Sequence, residues 1–124
     1  METFGNHKGE ITCMSFSPDG ELLAVGDSNA KIIIYDFKTK QVKINQFVFH
    51  SGRINSLDWS PSGLFLVSAS LDTNIEIWSI QNPTKHISIK TAHLNGVNGV
   101  IFLDEETIAS CGADASIKIY SFKA

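Results

Sequence analysis

Three side chains of the sequence have the residue types of a hydrolytic triad: His50, Ser68 and Asp72. In such a triad the imidazole takes the proton of the hydroxyl group, and the carboxylate orients the imidazole. The same three types recur later in the chain, at His93, Ser110 and Asp114. This recurrence favours a structural role in packing over a catalytic one. The G-x-S-x-G arrangement that exposes a nucleophilic serine is also absent from the sequence. The sequence therefore predicts no enzyme, with a hydrolase centred on the first three residues as an alternative.

The histidines do not have the spacing of a metal site. His7, His50 and His93 are 43 residues apart, one in each third of the chain. A zinc ion needs three or four ligands around one point, and ligands on separate units of a fold do not converge in this way. The two cysteines, Cys13 and Cys111, have no C-x-x-C spacing and lie in apolar stretches, so we expect reduced, buried thiols. We expect neither a metal nor another cofactor.

Composition limits the classes of protein to consider. The chain has 124 residues, of which 43% are hydrophobic and 19% charged, which is typical of a single globular domain. Ten Lys and Arg against 13 Asp and Glu give a net charge of -3, so a face that binds nucleic-acid phosphates is not expected. The apolar stretches are far too short to cross a bilayer. We therefore expect a soluble, intracellular protein without nucleic-acid or membrane partners.

A repeat of about 43 residues organises the whole sequence. The aromatic residues Tyr35, Trp78 and Tyr120 follow the histidines with nearly the same spacing, at intervals of 43 and 42 residues. A fixed period of this length indicates a repeat architecture in which each copy is one structural unit. The copies, within one domain over residues 1–124, are expected at about 7–49, 50–92 and 93–124.

Each copy contains short segments rich in β-branched and aromatic residues, separated by Gly, Pro, Ser, Asn and Asp. This pattern predicts consecutive antiparallel strands joined by tight turns, and hence an all-β fold. First strands are predicted at 11–16, 54–59 and 97–102, and second strands at 22–26, 65–70 and 107–111. Third strands are predicted at 31–35, 74–78 and 116–120. Fourth strands at 42–47 and 87–90 belong to the first two copies, which gives eleven strands of an expected twelve.

The repeat resembles the WD repeat, because a histidine stands near its start, a carboxylate in the turn after strand two and an aromatic residue at the end of strand three. The resemblance implies a β-propeller segment of about three four-stranded antiparallel blades, with the last blade lacking its outer strand. In such blades the turn carboxylate orients the histidine, a strand-two hydroxyl bridges it, and the aromatic residue forms the far end of the buried polar chain. The second copy has this set in His50, Ser68, Asp72 and Trp78. The third copy has it in His93, Ser110, Asp114 and Tyr120.

The first copy departs from this pattern. Its corresponding residues are His7, Val25, Asn29 and Tyr35. Valine has no hydroxyl group and asparagine has no charge, so we expect a broken network and the softest of the three blades.

Three stretches resemble the carboxy-terminal part of the actin-interacting protein 1 family: SLDTNI at 70–75, AHLNGVN at 92–98 and GADASIK at 112–118. That family helps cofilin to take actin filaments apart, and its members resemble two seven-bladed propellers in tandem. The resemblance implies that this chain corresponds to about the last three blades of the second propeller. It also implies a cytoplasmic place at the cytoskeleton, with actin and cofilin as partners of the full-length protein. The alternative is a generic WD-repeat scaffold fragment with an unrelated protein partner.

The resemblance to WD blades also suggests a partner-binding face. In such blades, side chains at the start of strand one and just before the turn carboxylate project onto the narrow end of the propeller. By that analogy the candidates are Glu10, Thr12, Arg53, Asn55, Leu71, Asn98 and Ala113. Arg53 and Leu71 are the strongest pair, because an arginine beside an apolar residue is a common composition at the centre of an interface.

Three blades span too small an arc to close a propeller, which typically has four to eight. Residues 1–6 are interpreted as the remnant of a preceding fourth strand. Open blade edges leave backbone donors and acceptors unpaired. We therefore expect the isolated chain to self-associate through these edges, to pair with the rest of a propeller, or to be marginally stable.

Overall fold

A computed structural model describes residues 1–123 of the chain, and these residues form an all-β fold. Eleven strands and no helix are present in this range. The predicted fold class and number of strands are confirmed, and the predicted strand ends agree with the observed ones to within two residues. No part of this range forms a helix of the length and apolar character that crossing a membrane requires.

The strands form three antiparallel sheets, which we number in chain order. Sheet one contains β1 to β4, at Ile11–Phe16, Leu22–Asp27, Ile32–Asp36 and Gln41–Phe47. Sheet two contains β5 to β8, at Ile54–Trp59, Phe65–Ser70, Ile75–Ser79 and His86–Ile89. Sheet three contains β9 to β11, at Val97–Asp104, Thr107–Gly112 and Ile117–Ser121. Within each sheet, every strand pairs with the next one along the chain, so each repeat forms one meander.

The turns between first and second strands follow from a Ser-Pro-x-Gly sequence in sheets one and two. Gly20 and Gly63 have φ angles of 74° and 76°, a left-handed conformation that glycine adopts without strain. Each glycine N–H donates to the carbonyl group of the serine three residues earlier, Ser17 or Ser60, at 2.9 Å. These turns reverse the chain tightly, and the two strands then pair from the turn up to a register shift at Thr12 in sheet one and at Asn55 in sheet two.

The sheets pack face to face, and the hydrophobic core lies between them. Between sheets one and two, Ile32, Ile34 and Phe47 pack with Trp59 and Trp78. A second core of similar composition lies between sheets two and three, and it includes Val67, Ile75, Ile77, Val100 and Ile108. The first strands of neighbouring sheets also contact each other, β1 with β5 and β5 with β9. The three sheets are therefore adjacent blades of an arc that is not closed within residues 1–123.

The two ends of the arc carry exposed apolar side chains. On sheet three these include Ile101, Ile117 and Ile119, on a face that no other described sheet covers. Cys111 lies on the same sheet and is exposed, whereas Cys13 is half-buried and its burial raises the pKa of its thiol. The expectation that both thiols are buried is wrong, because no described sheet covers the outer face of sheet three, on which Cys111 lies.

Candidate functional site

The second copy brings His50, Ser68, Asp72 and Trp78 together in one hydrogen-bonded network. His50 precedes β5, Ser68 lies in β6, Asp72 in the turn after β6, and Trp78 in β7. The Nδ1 atom of His50 lies 2.8 Å from an oxygen of Asp72, and its Nε2 atom lies 2.7 Å from the hydroxyl of Ser68. The indole N–H of Trp78 donates to the same hydroxyl at 2.8 Å. The network therefore ties two strands and a turn to the segment that leads into sheet two.

Donor chemistry determines the direction of each hydrogen bond in this network. An indole nitrogen can only donate and a carboxylate oxygen can only accept, so Ser68 accepts from Trp78 and the hydrogen on Nδ1 of His50 points to Asp72. With that hydrogen on Nδ1, the Nε2 atom accepts from the hydroxyl of Ser68 at 2.7 Å, which is shorter than the 3.5 Å from this hydroxyl to the carbonyl of Glu76. His50 accepts at Nε2 and donates its Nδ1–H to Asp72. The bonds thus run in one direction from Trp78 to Asp72, and successive hydrogen bonds of this kind polarise and strengthen one another.

Asp72 ends the network and also caps the turn. Its carboxylate accepts the backbone N–H groups of Ser51 and Asn74, each at 2.9 Å. Burial by itself would raise the pKa of Asp72, but the hydrogen bonds from His50 and Ser51 outweigh burial and hold the pKa below 3.8. Asp72 is therefore ionised at neutral pH and provides a fixed negative end for the network.

The network has the distances of a catalytic triad without its access to solvent. Ser68 and Trp78 are fully buried, and His50 is buried as well. A catalytic serine presents its oxygen to a substrate, whereas the oxygen of Ser68 accepts an indole N–H inside the core. The chemistry that this arrangement supports is the mutual satisfaction of buried polar groups. Within residues 1–123, no group of three or more His, Cys, Asp and Glu side chains is placed to hold a metal ion.

The third copy completes its network differently. His93 lies 2.8 Å from both Asp114 and the hydroxyl of Ser110. Tyr120 makes no hydrogen bond to Ser110 within residues 1–123 and instead packs against the core between sheets two and three. The hydroxyl of Ser116, which sequence reasoning missed, lies 2.7 Å from Asp114 and 3.0 Å from His93. The hydrogen bonds from His93 and then Ser116 lower the pKa of Asp114 to about 2.

The first copy uses a carboxylate that was not expected. Asp27, at the end of β2, lies 2.6 Å from Nδ1 of His7. Asn29, which the repeat alignment placed in this role, contributes a backbone N–H that donates to Asp27 at 2.8 Å. Asp27 also accepts the N–H of Lys31 at 3.0 Å, so it caps the turn as well as pairing with the histidine. The expectation that Asn29 takes the place of the turn carboxylate is wrong, because Asp27, two residues earlier, provides the carboxylate that pairs with His7.

The hydroxyl bridge of the first copy is missing. Val25 stands where the second copy has Ser68, and the Nε2 atom of His7 and the hydroxyl of Tyr35 are buried without a hydrogen-bond partner among the described residues. Burial, followed by the nearby charge of Asp27, raises the pKa of Tyr35. A buried polar group that lacks a partner destabilises a protein by about 1–3 kcal/mol. Sheet one therefore contains two such defects at one position.

We expect the substitution Val25→Thr to stabilise the chain by about 1 kcal/mol. Threonine has the shape of valine with a hydroxyl in place of one methyl group, and this hydroxyl would bridge His7 and Tyr35. Urea denaturation measures the change. Val67→Thr is the matched control, because Val67 is fully buried in an apolar core and its replacement should destabilise the chain. Equal losses of stability at the two positions would contradict the expectation.

The seven residues of the predicted partner-binding face fall into two groups. Thr12 donates its hydroxyl to the carbonyl of Ile54, and the amide of Asn55 donates to the carbonyl of Val97 at 2.8 Å. These two side chains are half-buried and connect neighbouring sheets, which occupies their donor groups. The other five are exposed: Glu10, Arg53, Leu71, Asn98 and Ala113.

A second polar cluster lies at the outer edge of sheet two, outside the repeat pattern. The carboxylate of Glu76 is almost fully buried and accepts hydrogen bonds from Nδ1 of His86 at 2.7 Å and from the hydroxyl of Ser88 at 2.6 Å. The ring of Phe49 stacks on His86 with 4.0 Å between the ring centres. Strand alternation places Glu76 on the same face of β7 as Trp78. The register of β7 with β8 places Ser88 opposite Glu76 and His86 opposite Trp78, which brings the three polar side chains together.

Comparisons with known proteins agree with this geometry. The family model described as WD domain, G-beta repeat matches three segments, residues 1–36, 41–79 and 84–121. The 66 kDa stress protein of Physarum polycephalum is 41% identical over 117 residues, and actin-interacting protein 1 of Drosophila melanogaster is 38% identical over 117 residues. These alignments cover 94% and 93% of this chain but 20% and 19% of the relatives. The chain thus spans about a fifth of the length of the curated relatives that it matches.

Two solved structures have the same arrangement of sheets. The RRP9 WD40 repeats superpose with a TM-score of 0.84, covering 94% of this chain and 37% of that one. The β-propeller domain of Myceliophteria thermophila Cps50 (Swd1) superposes with a TM-score of 0.79, covering 93% and 39%. Both are 23% identical to this chain, so they bear on its fold alone. With three matched repeats and three sheets packed as adjacent blades, the chain belongs to the WD domain, G-beta repeat family of β-propellers.

Proposed function

We propose that the chain is a non-enzymatic interaction segment of a β-propeller that acts with actin and cofilin in the disassembly of actin filaments. The observation that carries the proposal is the similarity to proteins named actin-interacting protein 1 in Drosophila melanogaster and Caenorhabditis elegans, at 38% and 36% identity over 93% of this chain. The same similarity supports a place in the cytoplasm, at the actin cytoskeleton.

A role in recognition fits the chemistry of the polar networks better than catalysis does. Ser68 and Ser110 are the hydroxyls that lie beside a histidine Nε2 atom, and both are buried. Neither can meet a substrate unless its sheet opens. The side chains available to another molecule are instead those at the turns and on the outer faces of the sheets.

Arg53 and Leu71 form the part of the exposed surface that best suits a protein partner. The two residues are tied together because the backbone N–H of Leu71 donates to the carbonyl of Arg53 at 2.9 Å. The side chain of Leu71 is exposed, and it lies against Gly96 of the segment that leads into sheet three. A guanidinium group beside an apolar side chain offers both charge and buried area to a partner, as the centres of protein interfaces commonly do.

We expect the double substitution Arg53→Ala and Leu71→Ala to weaken binding to cofilin-decorated actin filaments by about tenfold or more. Co-sedimentation with decorated filaments over a range of filament concentrations measures the affinity. The matched control is Lys38→Ala with Leu64→Ala, which removes an exposed cation and an exposed leucine from the opposite ends of the strands. The control should bind like the unmodified chain.

Two results would count against the proposal in different ways. Unchanged affinity of a folded Arg53→Ala and Leu71→Ala variant would contradict the binding face but not the actin role. Failure of the unmodified, folded chain to bind decorated filaments would contradict the actin role and favour a WD-repeat scaffold with an unrelated partner.

A further inference from the structure

Two of the asparagine residues are followed directly by glycine, and they lie only three residues apart in the chain. These pairs are Asn95-Gly96, in the segment between sheets two and three, and Asn98-Gly99, in β9. In an Asn-Gly pair the asparagine side chain reacts readily with its own backbone, because glycine has no side chain to hinder the approach. The two pairs therefore offer the same chemistry in two different surroundings.

The reaction is deamidation, and it needs no reagent other than water. The backbone nitrogen of the glycine gives up its proton and attacks the side-chain carbonyl carbon, Cγ, of the asparagine. The new C–N bond closes a succinimide ring, while the side-chain nitrogen takes up a proton and leaves as ammonia. Water then opens the ring at either of its carbonyl groups, which gives aspartate or isoaspartate. Ring closure requires the side chain and the following peptide group to turn toward each other, so a backbone fixed in a strand reacts slowly.

The surroundings of Asn95 leave this movement open. Asn95 is exposed, and its side chain makes no hydrogen bond to another residue within 1–123. It is the third residue of the turn from His93 to Gly96 and has a φ angle of 67°, which asparagine tolerates at this position. The N–H of Gly96, the group that attacks, donates to the carbonyl of His93 at 3.4 Å, which is longer than the usual limit of about 3.2 Å. The attacking nitrogen is therefore only weakly held.

The surroundings of Asn98 fix its backbone on both sides. Its neighbours Val97 and Gly99 both pair with β10, and Asn98 is the extra residue between these two pairs. The next residue, Val100, is also held by sheet two, because its N–H donates to the hydroxyl of Ser56 at 3.2 Å. Ring closure at Asn98 therefore requires the first strand of sheet three to leave its pairing.

We propose that Asn95 is a site of spontaneous deamidation in the folded protein, and that the strand protects Asn98. Gly96 itself is buried, because Leu71 lies over it: a Cβ atom at Gly96 would be 3.0 Å from Cδ1 of Leu71. This cover does not extend to the side chain of Asn95, which is exposed and which water reaches to open the ring. The fold thus selects one of two chemically equal pairs.

Deamidation of Asn95 changes the surface around Leu71. Both products add a carboxylate, and isoaspartate also adds a methylene group to the main chain before Gly96. The carbonyl of Gly96 accepts the N–H of Ala113 at 3.1 Å, so a displacement of Gly96 weakens the link between these two turns. Leu71 and Ala113 both belong to the predicted partner-binding face, and an effect of deamidation on binding therefore rests on the function proposed above.

Peptide mapping by mass spectrometry tests the site without any partner. Trypsin releases the peptide 91–118, which contains both asparagines, from this chain or from a longer protein that contains it. The folded chain is incubated at slightly alkaline pH and body temperature, and fragment ions then locate the aspartate and isoaspartate. We expect conversion at Asn95 to be about ten times faster than at Asn98, because a paired strand opens only rarely.

A synthetic peptide with the sequence 91–101 is the matched control, because it contains both pairs without the fold. Its two asparagines should react at similar rates. In the folded chain, Asn95→Gly should remove most of the isoaspartate, since glycine also adopts the positive φ of this turn, and Asn98→Ser should leave the yield unchanged. Equal rates at the two positions of the folded chain would overturn the proposal, as would the absence of conversion at Asn95 while the free peptide reacts.

Co-sedimentation with cofilin-decorated actin filaments tests the effect on binding separately. A chain incubated until Asn95 is converted should bind with a lower affinity than the fresh chain, whereas an Asn95→Gly chain incubated in the same way should keep its affinity. Equal affinities of the converted and fresh chains would contradict the effect on the binding face but not the site. Failure of the fresh chain to bind would contradict the proposed function, and the peptide map would still decide the site.

Discussion

Replacing Trp78 with alanine is expected to lower the free energy of unfolding by about 4 kcal/mol. Trp78 is fully buried, and its ring stacks on Phe47 of sheet one with 4.5 Å between the ring centres. Its removal leaves a cavity between the first two sheets and deprives Ser68 of its hydrogen-bond donor. Packing between sheets and the polar network within sheet two are therefore lost together.

Urea denaturation followed by far-ultraviolet circular dichroism measures the loss at Trp78. Phe37→Ala is the matched control, because Phe37 is a partly exposed aromatic residue near the outer face of sheet one. We expect its replacement to change stability by less than about 1 kcal/mol. A Trp78→Ala variant that loses no more stability than the control would show that the junction between the first two sheets does not depend on this ring.

Ser68→Ala is expected to destabilise the chain by about 3 kcal/mol, because it leaves two buried groups without partners. These groups are the Nε2 atom of His50 and the indole N–H of Trp78, which the hydroxyl joins at 2.7 and 2.8 Å. The change removes one oxygen atom and creates little cavity. Its effect therefore reports on the polar network more directly than the loss of the indole does.

Ser51→Ala is the matched control for Ser68→Ala. Ser51 is exposed and contributes its backbone N–H to Asp72, which alanine retains. The same denaturation measurement should show a change of less than about 0.5 kcal/mol. Combining Ser68→Ala with Trp78→Ala should cost less than the sum of the two single effects, since the residues share a hydrogen bond. Strict additivity would contradict their coupling.

The arrangement of strands could be predicted because the same pattern of turn residues and strand-forming residues occurs three times in the sequence. Turn residues and β-branched segments recur every 43 residues or so, and each recurrence limits where the others can lie. Comparing the copies by their spacing assigns His50, Ser68 and Asp72 to one motif. The structure places Ser68 and Asp72 within hydrogen-bond distance of His50.

Residues that leave the repeat register could not be found in this way. Asp27 lies two positions before the place that spacing indicates, and a carboxylate can reach His7 from either position because the turn brings both close. Ser116 aligns with Asn74, so its contact with His93 has no counterpart in the second copy. Spacing also does not distinguish a covered face from an uncovered one, which is why the exposure of Cys111 was not expected.

Sheet two holds a special position because it shares one core with sheet one and another with sheet three. A defect there weakens two junctions, whereas a defect in either neighbour weakens one. The complete polar network lies in this middle unit, and the interrupted one, with Val25 in place of a hydroxyl, lies at the end of the arc. Among the described sheets, a core substitution in sheet two is therefore expected to lower stability more than the equivalent substitution in sheet one or sheet three.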